Sequence, residues 1–244
     1  YDPNYIVDRL SGQFSFIVYD KQKNRLIIAR DRVGEKPLYI VSLNNYIAFS
    51  SDLLTFKNFP EFSKEISTHS FSQYLKLSYI PSPGTIFTNC FKLPPSTILE
   101  IDLNKFTPSK EINFDEFVSN KSIKYNEYWN IENILNNKNF EQNNSIKKQS
   151  YQNTLENILE NSIKEQLLSD VPLGVFLSGG IDSSLIVSLM KKNNINIKTF
   201  NIGFDFNSHD ESKYANKVAK IFDTDHINHI LSKKDILNIL PVLP

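Results

Sequence analysis

Short runs of aromatic and β-branched residues, separated by polar turns, make up the first hundred residues of the chain. Such runs are typical of antiparallel strands. Phe14, Phe16 and Val18 stand at alternate positions of one run, and a polar turn separates them from the apolar run Leu26–Ala29. This pattern predicts a hairpin, and a further strand is predicted over Thr97–Ile101.

A second hairpin and a helix are predicted between these strands. Leu38–Leu43 and Tyr46–Ser50 flank Asn44–Asn45, a pair that tolerates positive φ and suits a two-residue connection. Ser67 is a suitable N-cap for a helix over Thr68–Leu77, and prolines follow that segment.

The apolar pattern fades over residues 102–150, where Asn, Lys, Ser and Glu dominate. Only Tyr128–Trp129 is expected to anchor this segment to a neighbouring core. Asparagine side chains compete for backbone hydrogen bonds and bury little apolar area. The Asn-dense residues 126–153 are therefore predicted to form an irregular surface segment within a linker.

A different period begins near Tyr151. Apolar residues recur there at three- and four-residue spacing, which predicts one apolar helix face: Leu155, Ile158, Leu159, Ile163 and Leu167. The pattern then alternates between strand and helix, with strands over 171–177, 199–204 and 226–231 and helices over 185–192 and 211–222. This alternation favours a parallel, doubly wound α/β sheet after an α+β first half.

Composition limits the function classes. Lys plus Arg and Asp plus Glu number 27 each, so no net positive charge favours a nucleic acid or an anionic membrane. Cys90 is the single cysteine, which excludes an intramolecular disulfide and suits a reducing compartment. No apolar run approaches the roughly 20 residues that span a bilayer. We therefore expect a soluble, cytoplasmic protein.

The segment Ser178–Ser184, with the sequence SGGIDSS, carries the strongest chemical signal. It connects a predicted buried strand to an amphipathic helix, where backbone N–H groups and the helix dipole favour an anion of phosphate size. Glycine permits close approach of the backbone, and hydroxyls supply further donors. The predicted phosphate-binding residues are Ser178, Gly179, Gly180, Asp182, Ser183 and Ser184, with Asp182 as a helix cap or a Mg²⁺ ligand.

This loop lacks the lysine of a Walker A motif, which disfavours terminal phosphoryl transfer. It resembles the pyrophosphate loop of the N-type ATP pyrophosphatases, which cleave ATP between its α and β phosphates. The surrounding sequence is similar to glutamine-dependent asparagine synthetases over most of the chain. The segments that carry this resemblance are Arg30–Gly34, Lys36–Tyr39, Phe49–Ser51, Lys92–Pro95, Ser169–Pro172, Gly174–Leu177, Thr199–Phe204, Asp210–Glu211, Tyr214–Ala215, Val218–Ala219 and Thr224–His226.

The resemblance implies a domain plan. Residues 1–115 would be the C-terminal half of an Ntn-type, class II glutaminase with layered antiparallel sheets, and residues 116–150 a linker. Residues 151–244 would begin an ATP-dependent synthetase domain of the adenine-nucleotide α-hydrolase-like type. The nucleophilic cysteine of the glutaminase and the later synthetase residues would lie outside this sequence, so the polypeptide is expected to be an inactive piece of a longer enzyme.

The resemblance also implies a reaction. Phe176 and Ile202 occupy the positions that contact adenine, which agrees with ligand binding at the carboxyl ends of parallel strands. Aspartate would attack the α-phosphate of ATP to form β-aspartyl-AMP, and ammonia from glutamine would displace AMP. ATP and Mg²⁺ would be required, the partners would be small molecules, and a homodimer is one option for the assembly.

Other candidate residues have structural interpretations. Arg30–Arg32 is predicted to hold a loop rather than to act in catalysis, and Cys90 is predicted to be an inert, half-buried thiol. His226 and His229 lie in one predicted strand and are expected to face the same side as structural residues, because no further metal ligands accompany them. Asp210–Glu211 suits a helix start.

Two further functions remain open at this stage. One is an amidotransferase of the same family that acts on another carboxylate, because residues that select the acceptor would lie after Pro244. The other is a nucleotide-binding module without catalysis. Turnover with aspartate compared with other acids distinguishes an asparagine synthetase from an amidotransferase with another acceptor. The affinity of loop variants for MgATP distinguishes a working nucleotide loop from one that is not used.

Overall fold

The computed structural model describes residues 2–109, 113–136, 148–193, 195–205 and 210–242. The chain forms two compact units, residues 1–141 and residues 142–244.

The first unit contains seven strands and four helices within its described residues. In chain order these are α1 (Pro3–Val7), β1 (Ser15–Asp20), β2 (Arg25–Arg30), β3 (Tyr39–Ser42), β4 (Ile47–Ser50), α2 (Thr68–Leu77), β5 (Cys90–Lys92), β6 (Thr97–Asp102), α3 (Phe114–Ser119), β7 (Ile123–Glu127) and α4 (Ile131–Asn136). A 3-10 turn over Leu53–Asn58 follows β4.

Two antiparallel sheets, in the orders β1-β2-β6-β7 and β4-β3-β5, form two layers of the first unit. One apolar core contains Ile28 and Leu99 from the larger sheet together with Ile40 and Phe91 from the smaller one. The outer faces have cores of their own, in which Val7 of α1 covers the larger sheet and Phe56 packs on the smaller. The predicted antiparallel sheets of the first unit are therefore confirmed.

Both predicted hairpins and the predicted helix are present. The two asparagines form a two-residue connection in which Leu43 N–H donates to Tyr46 O. Neither asparagine has the positive φ that the pair would tolerate. The Ser67 side chain accepts a hydrogen bond from Ser70 N–H and begins α2, which ends at Ser78 in the left-handed conformation.

The structure differs from the prediction for residues 116–150. Strand β7 pairs with β6 as the fourth strand of the larger sheet, and Phe117 of α3 is fully buried in the core. The sequence pattern missed these elements because only one side of each contacts the core. The predicted irregular segment also contains α4 and the start of the next helix, whereas residues 137–147 lie outside the described part of the chain.

The second unit is built on a three-stranded parallel sheet in the order β10-β9-β8. Its elements are α5 (Lys148–Gln166), β8 (Gly174–Phe176), α6 (Ile181–Lys192), β9 (Lys198–Phe204), α7 (Ser212–Ile221), β10 (Asp225–Leu231), α8 (Lys233–Ile239) and a 3-10 turn over Leu240–Val242. The predicted parallel sheet is confirmed, but the first strand is shorter than predicted and exposed, because it forms an edge of this sheet.

Three helices of this unit, α5, α6 and α7, share one core with one face of the sheet. Leu177 after β8, Val187 of α6 and Ala215 of α7 are buried together, and Ile163 of α5 packs against them. The chain crosses the sheet in one direction, from β8 to β9 to β10. Right-handed crossovers that all run in one direction place their helices on the same face of the sheet. A doubly wound sheet has helices on both faces, so that arrangement stays a prediction.

The predicted apolar face of α5 is only partly covered. Ile163 and Leu167 pack against the core, whereas Leu155 and Ile158 are more than half exposed.

Arg30 and Asp31 hold the loop that follows β2. The Arg30 guanidinium donates to the carbonyl oxygens of Lys36, Gly34 and Leu93. The buried Asp31 carboxylate accepts N–H groups from both sides of the turn, at 3.0–3.3 Å, from Phe14, Val33, Glu35 and Lys36. Burial alone would raise the pKa of Asp31, but these donors lower it. The predicted role in holding the loop is confirmed for Arg30 and Asp31.

We expect Asp31→Asn to lower the free energy of unfolding of the first unit by about 3 kcal/mol, because its amide nitrogen would face backbone N–H donors. Chemical denaturation measures this, with the exposed Glu61→Gln as the control. In the parent, the contribution of Asp31 is present above the unfolded-state pKa and is lost as pH falls through the lowered folded-state pKa. Equal unfolding midpoints for both variants would contradict the structural assignment.

Candidate functional site

The loop Ser178–Gly180 lies at the carboxyl end of β8 and leads directly into α6. The predicted helix began at Leu185, but α6 begins at Ile181, with Gly180 as its N-cap. Asp182, Ser183 and Ser184 therefore lie in the first helical turn. This arrangement brings every predicted phosphate-binding residue to the junction between one strand and one helix.

Gly179 is required by packing as well as by backbone conformation. Its φ is +81°, a value that L side chains rarely adopt. A Cβ atom at this position would lie 2.6 Å from Ala215 N and closer still to the carbonyl carbon of Tyr214. The loop is thus in direct contact with the backbone of α7, so Gly179 faces a helix and not open space.

Gly180 has the open side that a ligand needs. A Cβ atom there would meet only Ser178 Oγ, at 3.3 Å. The N–H of Gly180 is already a donor to Ser178 Oγ, at 3.2 Å. No side chain caps α6, so the N–H groups of Ile181, Asp182 and Ser183 have no acceptor within the helix. These three N–H groups of the first turn can therefore donate to an anion, whereas the N–H of Gly180 already donates within the loop.

The hydroxyls of the loop are connected to one another. Ser178 Oγ and Ser183 Oγ are 3.0 Å apart, and Ser183 Oγ also lies 3.3 Å from Gly180 O. Ser184 is half-buried, whereas Asp182 is exposed. Because Gly180 and not Asp182 is the N-cap, the capping role that was one option for Asp182 is not observed. Its exposed carboxylate remains free to approach a bound cation.

Phe176 and Ile202 lie on the same face of the parallel sheet. Phe176 pairs with Phe200, and Ile202 follows two residues later in β9. Both side chains are exposed, Phe176 by 77% and Ile202 by 49%. The ladder continues past β8, since Leu177 N–H donates to Phe200 O at 2.8 Å. An apolar surface therefore lies beside the end of β8 from which the loop departs.

A buried polar cluster on the other face of the sheet was not predicted from the sequence. Asn201 of β9, Asn228 of β10 and Ser212 of α7 are joined by hydrogen bonds of 3.0–3.2 Å. Asp210 Oδ1 accepts from Ser212 Oγ at 2.6 Å. The only sequence signal was Asp210–Glu211 at a helix start, and Asp210 does accept the Ser212 N–H there.

The two histidines do not share a face. They are three residues apart in β10, and His226 pairs with Thr199 whereas His229 pairs with Ile202. The expectation that both face one side is wrong, because an odd spacing places strand residues on opposite faces. His226 Nδ1 lies 2.8 Å from Thr199 Oγ1, and burial lowers the pKa of His226. No group of three or more His, Cys, Asp or Glu side chains among the described residues could hold a metal ion.

Cys90 lies in β5 and is buried more completely than predicted, with 5% of its surface exposed. Burial raises the pKa of its thiol to about 12. A thiol with this pKa is protonated near neutral pH and is a poor nucleophile.

Comparison with known proteins assigns both halves of the chain. Residues 4–111 match the family described as "Glutamine amidotransferase domain", and residues 154–244 match "Asparagine synthase".

Within the described part of the chain, no helix is long and apolar enough to traverse a bilayer.

Curated relatives align with nearly the whole chain. Asparagine synthetase (glutamine-hydrolyzing) 1 of Bacillus subtilis is 29% identical over 236 residues, which cover 96% of this chain and 33% of the relative. A Methanocaldococcus jannaschii protein, provisionally named asparagine synthetase (glutamine-hydrolyzing) 2, is 29% identical over 238 residues, which cover 96% of this chain and 42% of the relative. The chain thus spans about a third to two fifths of the length of these relatives.

Along the chain, a match to a glutamine amidotransferase domain is therefore followed by a match to asparagine synthase. The chain is similar to glutamine-hydrolysing asparagine synthetases over nearly its whole length, and each of its halves matches one of the two domain families.

The two loop glycines are expected to differ in their response to alanine. Gly179→Ala should lower the melting temperature of the second unit markedly, because its Cβ would overlap the α7 backbone and its φ is positive. Gly180→Ala is the matched control and should change the melting temperature little, because only one hydroxyl lies near its Cβ. Thermal unfolding followed by circular dichroism measures both, and a reversed order would contradict the described loop.

We expect Cys90 to resist a thiol reagent such as DTNB in the native protein and to react promptly in about 6 M guanidinium, because unfolding exposes the thiol. Absorbance of the released thiolate measures both reactions, and Cys90→Ser gives the background. Rapid native labelling would show that the thiol is accessible and would contradict its inert role.

Proposed function

We propose that the protein containing this chain amidates aspartate to asparagine, with glutamine as nitrogen donor, through a β-aspartyl-AMP intermediate and release of pyrophosphate. The observation that carries this proposal is the uncapped start of α6 next to Gly180. It presents first-turn N–H groups to an open side of the loop. The matches to the amidotransferase and asparagine synthase domains, and the similarity to asparagine synthetases, support the choice of reaction.

The proposed ATP site contains Phe176, Ser178, Gly179, Gly180, Asp182, Ser183, Ser184 and Ile202. The amides of the first helical turn and the hydroxyls of Ser178 and Ser183 would bind the diphosphate, whose negative charge increases as the bond to the α-phosphorus breaks. The exposed Phe176 and Ile202 would contact adenine across the face that they share. Gly179 would act indirectly, by keeping the loop against α7.

The residues of the loop fit a Mg²⁺ that is bound with the nucleotide. Mg²⁺ commonly takes one or two carboxylates and completes its ligand set with phosphate oxygens and water. One exposed carboxylate, Asp182, is available at the start of α6, and no larger acidic cluster occurs among the described residues. When bound, Mg²⁺ would neutralise the charge of the phosphates, and the Asp182 carboxylate would orient the metal ion.

For the first unit we propose the C-terminal half of an Ntn-type glutaminase, and for residues 151–244 the start of the synthetase domain. The predicted boundary at residue 115 moves towards the C-terminus, because Phe117 and β7 belong to the core and the larger sheet of the first unit. The layered antiparallel sheets and the amidotransferase match support this assignment. Cys90 is not proposed as the nucleophile, because it is buried in β5. A cytoplasmic location remains a proposal from composition and family.

Gly180→Val tests the phosphate site. Isothermal titration with MgATP should show an affinity at least tenfold lower than that of the parent, because the added side chain fills the approach to the first-turn amides. Asp182→Ala should weaken MgATP more than ATP without the metal. Asn157→Val, at an exposed position of α5, is the control. Unchanged MgATP affinity in Gly180→Val would remove the loop from the proposed site.

The acceptor is tested by the release of AMP and pyrophosphate from the protein with glutamine and different carboxylic acids. Aspartate should stimulate release most strongly. Stimulation by another acid alone would identify an amidotransferase with a different acceptor. MgATP binding without any turnover would indicate a nucleotide-binding module.

A further inference from the structure

The buried polar cluster lies on the face of the parallel sheet that α7 covers. It joins β9, β10 and α7 through the hydroxyl of Ser212. Ser212, the first residue of α7, has a side-chain oxygen within 3.2 Å of Asn201 Nδ2 and Asn228 Oδ1 and within 2.6 Å of Asp210 Oδ1. Asn201 and Ser212 are each only 6% exposed. Hydrogen bonds in such a setting are strong, and the loss of one partner leaves the others unsatisfied.

Space around this cluster is closed. A Cβ atom on Gly203 of β9 would lie 2.6 Å from Asp210 Oδ1 and closer still to Ser212 Oγ. The start of α7 is therefore pressed against the backbone of β9 and is also fixed to it by hydrogen bonds. Two kinds of contact, close packing and hydrogen bonds, therefore fix the position of the start of α7 relative to the sheet.

Less than one helical turn further along, α7 supports the phosphate loop. Tyr214 and Ala215 are the residues whose backbone atoms lie where a Cβ of Gly179 would be. Ala215 is also fully buried in the core that contains Leu177, the residue before the loop. A shift of the α7 start would consequently move the surface on which Gly179 rests.

We propose that Asp210 and Ser212 are positioning residues for diphosphate binding, which they support by holding α7 as the rigid backing of the loop Ser178–Gly180. This inference rests on the proposed function of the loop as a pyrophosphate site. The residues proposed to contact adenine depend less on the cluster, because the ladder between β9 and β10 holds Ile202 and the ladder between β8 and β9 holds Phe176. Binding of phosphate groups and binding of adenosine should therefore respond differently to the same change.

Asp210 offers a conservative test, since Ser212 N, Ser212 Oγ and Phe204 N all donate to its single atom Oδ1. Asparagine can accept at that atom without the charge, whereas alanine cannot. We expect Asp210→Ala and Ser212→Ala each to weaken the binding of magnesium pyrophosphate about tenfold, and Asp210→Asn to restore it to within about twofold of the parent. Adenosine affinity should stay within about twofold throughout. Titration calorimetry measures both ligands.

Lys220→Gly is the matched stability control, because it destabilises the same helix at an exposed position near its other end, outside the core that contains Leu177. It should lower the melting temperature while leaving pyrophosphate affinity unchanged. An equal loss of pyrophosphate affinity in this control would overturn the inference, since general destabilisation would then explain the effect. If Asp210→Ala does not fold, Ser212→Ala and Asn228→Ala, each of which removes one polar side chain of the same cluster, replace it.

The remaining outcomes separate the two proposals. Parent protein that binds neither MgATP nor magnesium pyrophosphate would overturn the proposed function and this inference together. Parent protein that binds both, with unchanged affinity in Asp210→Ala and Ser212→Ala, would overturn the inference alone. Equal loss in Asp210→Ala and Asp210→Asn would show that the charge of Asp210 matters, and would also overturn the positioning role.

Discussion

The contact between Gly179 and the backbone of α7 is the constraint on which the candidate site depends. A glycine with positive φ allows the chain to turn sharply after Leu177, and the absence of a side chain lets the turn lie directly on a helix. This contact directs the following residues into α6 with an uncapped first turn. The amides that could bind an anion are thus oriented by packing behind them, and no side chain in front of them is required.

The two glycines of the loop have separate roles, although they are adjacent in the sequence. Gly179 is enclosed by protein, whereas the side of Gly180 is open. A close approach of phosphate to backbone is therefore a property of Gly180 and of the helix start that follows it. Preorganisation of this kind favours binding because the donors need little rearrangement when the ligand arrives.

The two units achieve stability in different ways. The first is an antiparallel sandwich with cores on several faces and a buried Arg30–Asp31 turn whose polar groups are satisfied by the backbone. The second has a parallel sheet with helices packed on one face, and apolar side chains such as Phe176, Ile202 and Ile227 remain exposed on the other. In a parallel sheet, the carboxyl ends of strands are where ligands bind.

Local patterns in the sequence were sufficient for the hairpins, the capped helix α2, the parallel strands and the position of the SGGIDSS loop between a strand and a helix, because alternation, capping and turn residues act between near neighbours. They were insufficient for β7 and Phe117, which are recognisable only by the sheet and core that they join. The exposure of β8, the contact of Gly179 with α7 and the Asn201–Ser212–Asn228 cluster were likewise decided by the tertiary structure. Each of these features depends on residues that are far apart in sequence. Such residues come together because strands and helices pack against one another, and local preferences do not encode that packing.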